Sequence, residues 1–85
     1  MHLVMDVAVV LDDAFHHIQS RAYLACDLIG DPASGFEDVD MARRALEDLA
    51  RQIAAIRWSH SGYNELYEDV GHMRVAALQR MAQLA

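Results

Sequence analysis

The chain has 85 residues, 54% of them apolar, and its 13 acidic and seven basic side chains give a formal net charge of −6. This length holds one domain at most, so we expect a single domain over residues 1–85, and the apolar share excludes a disordered chain. No window of about 18 apolar residues occurs, which argues against a membrane span. The single cysteine, Cys26, excludes an internal disulfide and indicates a cytoplasmic protein.

The first predicted helix runs from about Asp12 to Ile29, where apolar residues recur at steps of three or four. Asp12 is a possible N-cap of this helix, and Gly30 is a possible C-cap. Residues 3–10 are rich in β-branched side chains and fit either a strand or a backward extension of the helix. Helix is favoured because a lone strand has no partner in an all-α chain and would need a second copy across a dimer.

A loop follows over residues 30–35, which contain the only proline and two of the four glycines. The second predicted helix then runs from about Val39 to Trp58. Its apolar stripe includes Leu46, and Asp38 is its predicted N-cap.

The third predicted helix follows a break at residues 59–62 and is capped by Ser61 or Asn64. Short loops favour antiparallel neighbours, so we expect an all-α, small three-helix bundle. Trp58 and Tyr63 would meet at one end of it. We expect them to fill that end as core, and the alternative is an exposed binding corner formed with Arg57 and His60.

No sequence pattern predicts catalysis, since the chain has no nucleophile elbow, phosphate-binding loop or zinc-protease motif. We therefore expect a protein that is not an enzyme. Glu65, Asp69 and His72 share one side of the third helix, and the last two have the spacing of half a di-iron site. A complete site would need a homodimer with inward-facing charges. We expect no metal and no cofactor.

Charge is divided unevenly along the chain: residues 1–42 carry a net −7, and residues 43–85 carry a net +1. Arg44 and Arg51 each follow an acid by four residues, Asp40 and Glu47, so they are largely neutralised within their own helix. The surplus acids are the candidate partner-binding residues, although helix capping and solvation of the loop would also account for them. These candidates are Asp27, Asp31, Glu37, Asp38 and Asp40.

These features predict a protein that binds another protein with a basic surface, and neither nucleic acid directly nor a membrane. In size and charge the chain resembles small acidic proteins of phages and mobile elements, including some anti-CRISPR inhibitors. That resemblance implies inhibition of a nucleic-acid-binding complex by acidic mimicry. The alternatives are an antitoxin-like binder of a basic partner, or a regulatory or structural helical homodimer that uses residues 3–10 and the apolar stripe of residues 73–84.

Overall fold

A computed structural model describes residues 6–85, and three helices account for most of them. Helix α1 spans Val7–Gly30, α2 spans Phe36–Ile56 and α3 spans Gly62–Leu84. One 3-10 turn, Arg57–Ser59, follows α2, and no strand occurs within residues 6–85. The prediction of an all-α three-helix bundle is confirmed.

Helix α1 begins earlier than predicted because Asp6, and not Asp12, caps it. The Asp6 carboxylate accepts a hydrogen bond from the backbone N–H of Ala8 at 3.0 Å, which satisfies one of the unpaired donors at the helix N-terminus. Residues 7–10 are helical, as favoured over a strand, and the assignment of Asp12 as N-cap is wrong. The rest of the ambiguous segment, residues 3–5, lies outside the described residues.

The junction between α1 and α2 also differs from the prediction in its caps. Helix α1 includes Gly30 as its last residue, so the C-cap is Asp31. Helix α2 begins three residues before the predicted Val39, because Asp38 lies inside its first turn. The Asp38 carboxylate reaches back to accept the N–H of Gly35 at 2.9 Å, which is one half of a capping box.

Helix α3 is capped by a residue that the sequence pattern did not single out for this role. Ser61 precedes the helix but its side chain makes no capping hydrogen bond. Instead, the N–H of Gly62 donates to Nδ1 of His60 at 2.9 Å. The other predicted cap, Asn64, accepts a hydrogen bond from Nε of Arg57 at 2.8 Å.

The core lies along the three predicted apolar stripes, because residues spaced by three or four share one face of a helix. Phe15 of α1 stands against Tyr63 at the start of α3, with ring centroids 5.1 Å apart, and further along both helices Tyr23 lines the same depression as Asp69. Helices α1 and α3 therefore run parallel, and α2 runs antiparallel to both. Five alanines in the core let the helices approach closely. The buried apolar residues are Phe15, Ala22, Ala25, Ile29, Val39, Ala42, Leu46, Leu49, Ala50, Ile53, Tyr63, Leu66, Val70, Met73 and Ala77.

Candidate binding surface

Two of the predicted partner-binding carboxylates have structural roles in the α1–α2 loop. Asp31 accepts a hydrogen bond from the N–H of Ala33 at 2.9 Å, which stabilises the turn. Asp38 caps α2 through Gly35. Both side chains remain exposed, so each carries a negative charge at the surface in addition to its structural role.

A third predicted binding residue, Asp40, is balanced by arginines of its own helix. Its carboxylate pairs with Arg43 at 2.7 Å and with Arg44 at 2.8 Å, and only 17% of its side chain is exposed. The hydrogen bond from Arg43 lowers the pKa of the Asp40 carboxyl, and the same bond raises the pKa of Arg43. Asp40 therefore contributes little net charge to the surface.

Pairing within α2 is more complete than the sequence predicted. Arg43 follows no acid by four residues, yet besides Asp40 it also donates to both oxygens of Glu47 at 3.0 Å. Arg51 pairs with Asp48 instead of the predicted Glu47. These ion pairs cancel most of the charge of the α2 surface, as the sequence suggested, although the partners differ.

The last two candidates, Asp27 and Glu37, are exposed and make no hydrogen bond or ion pair with another residue of the described chain. They flank the α1–α2 loop from both sides. We call Asp27, Asp31, Glu37 and Asp38 together the acidic end. Half of its carboxylates have no detected role in holding the fold.

An apolar groove runs between α1 and α2 next to the acidic end. Its volume is about 420 Å³, and the large side chains Leu24 and Met41 on its two sides are 68% and 65% exposed. Met41 also borders a neighbouring depression of similar size, which Phe36 and Glu37 line. Through Met41 the apolar groove is thus continuous with Glu37 of the acidic end. The groove is lined by Arg21, Leu24, Ala25, Leu28, Met41, Ala42, Ala45 and Leu49.

A polar and aromatic cluster closes the opposite end of the bundle. His60 contacts the Asp12 carboxylate through Nε2 at 2.9 Å, and its Nδ1 accepts the N–H of Gly62. Because Nδ1 is an acceptor, Nε2 carries the proton that is donated to Asp12. This hydrogen bond lowers the pKa of Asp12. Both nitrogens of His60 are occupied, and its ring stacks on Phe15 at 4.2 Å, so the arrangement ties α1 to α3.

The aromatic residues near this end divide between core and surface. Tyr63 is fully buried, as predicted, and burial raises its pKa. The expectation that Trp58 fills the core is wrong, since it is 82% exposed. Helix α2 ends at Ile56, and Trp58 lies in the 3-10 turn that leaves the bundle. The predicted exposed corner is also incomplete, because its member Tyr63 is buried, and Arg57 lies over the ring of Tyr67 at 4.6 Å.

Metal binding, membrane insertion and likeness to known proteins give no indication of the function. Within residues 6–85, no three His, Cys, Asp or Glu side chains lie close enough together to hold a metal ion. None of the described helices is long and apolar enough to cross a membrane. No protein-family model matches the chain, and no significant match was found among curated proteins or solved structures.

Proposed function

We propose that the protein acts without catalysis, by binding a partner protein that presents a basic surface to the acidic end. The observation that supports this is the contrast between two parts of one molecule. The carboxylates of α2 from Asp40 onwards are paired with arginines, as Asp40 is with Arg43, whereas Asp27 at the end of α1 and Glu37 in the first turn of α2 have no such partner among residues 6–85. Unpaired like charges repel one another, so a basic partner relieves a repulsion that the fold tolerates.

The charge favours one specific form of this proposal, in which the partner's basic surface is built for nucleic-acid phosphates. Carboxylates on a small helical protein can occupy such a surface and keep the nucleic acid away. Complementary charge of this kind speeds association and is screened over about 8 Å at physiological salt. The protein would then act as an inhibitor of a nucleic-acid-binding complex.

The test is a charge-reversal variant, Asp27→Arg with Glu37→Arg, which spares the capping residues Asp31 and Asp38. The matched control reverses Glu65 and Glu68, two exposed acids of α3, and changes the net charge by the same amount. Proteins captured from a host lysate by the wild-type chain are identified and then titrated against all three forms. We expect the acidic-end variant to lose affinity through a slower association rate and the control to bind as wild type does.

Competition with nucleic acid tests the inhibition separately from the binding of a basic partner. If the captured partner binds nucleic acid, adding the wild-type chain is expected to release it, and the acidic-end variant is expected not to. A partner that binds both variants with the affinity of the wild type would contradict the role of the acidic end. A partner that binds the wild-type chain but keeps its nucleic acid would contradict the proposed inhibition and leave the proposed binding intact.

A helical homodimer is the second candidate, and exposed apolar residues at the start of α1 favour it. Val7 and Val9 are 69% and 54% exposed, and they precede Phe15, the first buried residue of that helix. The other half of the predicted dimer surface is largely occupied, because Met73 and Ala77 pack into the chain's own core. Light scattering at high protein concentration tests this candidate, and a strict monomer would exclude it.

A further inference from the structure

The geometry points to the groove between α1 and α2 as the binding site for an amphipathic helix of the basic partner. This inference rests on the proposed function, and it adds an apolar contact to the charged one. The charged end alone would give a fast but weakly specific encounter, because rim charges act mainly on the association rate. A specific complex needs an apolar anchor buried near the charges.

The large apolar side chains beside the groove indicate that it is an anchor site. Leu24 and Met41 lie on different helices and are about two-thirds exposed, yet they border the same groove. The groove floor contains Ala25, Ala42 and Ala45, whose small side chains leave room for a partner's side chains. Single exposed apolar side chains are ordinary in proteins, but two large ones that converge on one groove form a patch.

The class of partner follows from the shape and charge of this surface. The described chain has no sheet edge, so a partner strand cannot be added to it, and a groove between two helices suits a third helix. At the α1–α2 loop the groove adjoins Glu37 through the shared side chain of Met41. Arg21, the one charged residue that lines the groove itself, lies nine residues before the end of α1 and thus away from the loop. A helix with an apolar face and basic residues at its loop end therefore satisfies both parts of the surface at once.

The proposal is tested with a phage-displayed library of helical peptides, selected against the full 85-residue protein. We expect selected sequences to have apolar residues three or four positions apart together with a net positive charge. The best peptide is then synthesised and titrated against the wild type and against Leu24→Ser with Met41→Ser. Removing these contacts is expected to weaken binding at least about tenfold.

The matched control carries Val75→Ser and Leu78→Ser, two apolar residues of α3 that are 53% and 55% exposed and lie outside the groove. It is expected to bind the peptide as the wild type does. Circular dichroism melting of both double variants verifies that each remains folded. All four substituted side chains are mostly exposed, so neither variant is expected to unfold.

Other outcomes would overturn the inference. No selected peptide, selected peptides without positive charge, or equal binding to both serine variants would each contradict it. A wild-type dimer that becomes a monomer on Leu24→Ser with Met41→Ser would show that a second copy occupies the groove. If Asp27→Arg with Glu37→Arg prevents capture of the natural partner while the groove variant does not, the proposed function stands and the groove is wrong.

Discussion

Replacing Gly62 by alanine tests the packing that joins the start of α3 to α1. A Cβ atom at this position would lie 2.5 Å from Cζ and 2.7 Å from Cε1 of Phe15, and 3.0 Å from Nδ1 of His60. Carbon atoms pack best at about 3.5–4.0 Å, so the Phe15 ring must retreat by about 1 Å. It cannot do so freely, because it is stacked on His60 at 4.2 Å. Overpacking of this kind costs about 1–3 kcal/mol of unfolding free energy.

Gly71→Ala is the matched control, because an added Cβ there meets nothing within 4 Å. In the middle of a helix this change raises the free energy of unfolding by about 0.5–1 kcal/mol. For a domain of this size 1 kcal/mol shifts the melting temperature by about 4–8 °C, so Gly62→Ala lowers it by at least about 4 °C and Gly71→Ala raises it by about 2–8 °C. Thermal melting followed by circular dichroism measures both.

A double-mutant cycle locates the cause in the Phe15 ring. Phe15→Leu removes the atoms that the new Cβ would meet, so Gly62→Ala is expected to cost less in that background than in the wild type. If Gly62→Ala melts at or above the wild-type temperature, or costs the same in both backgrounds, the packing of Phe15 on Gly62 is wrong.

Three further predictions concern the same end of the bundle. Tyr63→Phe removes a buried hydroxyl that has no hydrogen-bond partner in the described chain, so the urea midpoint at neutral pH is expected to stay level or rise, and a marked fall would contradict this. Burial raises the pKa of Tyr63, so the phenol stays neutral in the folded state at a pH where it ionises in the unfolded state. The stability linked to the neutral phenol is therefore complete below the unfolded pKa of about 10 and is lost as the pH rises towards the folded pKa. The phenylalanine variant should lose less stability at alkaline pH. Asp12→Ala is expected to lower the urea midpoint at neutral pH, because the hydrogen bond from His60 lowers the pKa of Asp12 in the folded state. The difference in midpoint between the variant and the wild type should shrink as the pH falls below the ordinary carboxyl pKa of 3.8. A difference that persists in acid would refute this. Trp58→Ala is expected to change stability by no more than about 0.5 kcal/mol, and a larger loss would show that the indole packs into the core.

The three-helix bundle was predictable because the three- or four-residue spacing of the apolar side chains indicates which face of each helix is buried. Leu46 lies where the stripe of α2 placed it, inaccessible to solvent. The helix ends were less predictable, since capping depends on which nearby donor a side chain reaches. Asp38 caps from inside α2, and His60 caps α3 with a ring nitrogen, although histidine is not among the residues that sequence rules favour as caps.

The candidate surface was only partly predictable, for reasons of tertiary structure. The excess of acids around the α1–α2 loop is visible in the sequence. Asp40 has an arginine both three and four residues after it, and only the side-chain directions show that it pairs with both Arg43 and Arg44. Leu24 lies off the core stripe of α1, which is a local signal of an exposed apolar residue. That it shares a groove with Met41 follows only from the packing of α1 on α2.

The central claim is that the acidic end recognises a basic partner. The most direct test is the association rate of the captured partner with the wild type, with Asp27→Arg/Glu37→Arg, and with the control Glu65→Arg/Glu68→Arg, at low and at physiological salt. Association is expected to be slower for the acidic-end variant alone, with the largest difference at low salt, where charges are least screened. Equal rates for the two variants would contradict the claim, because net charge and not the acidic end would then govern binding.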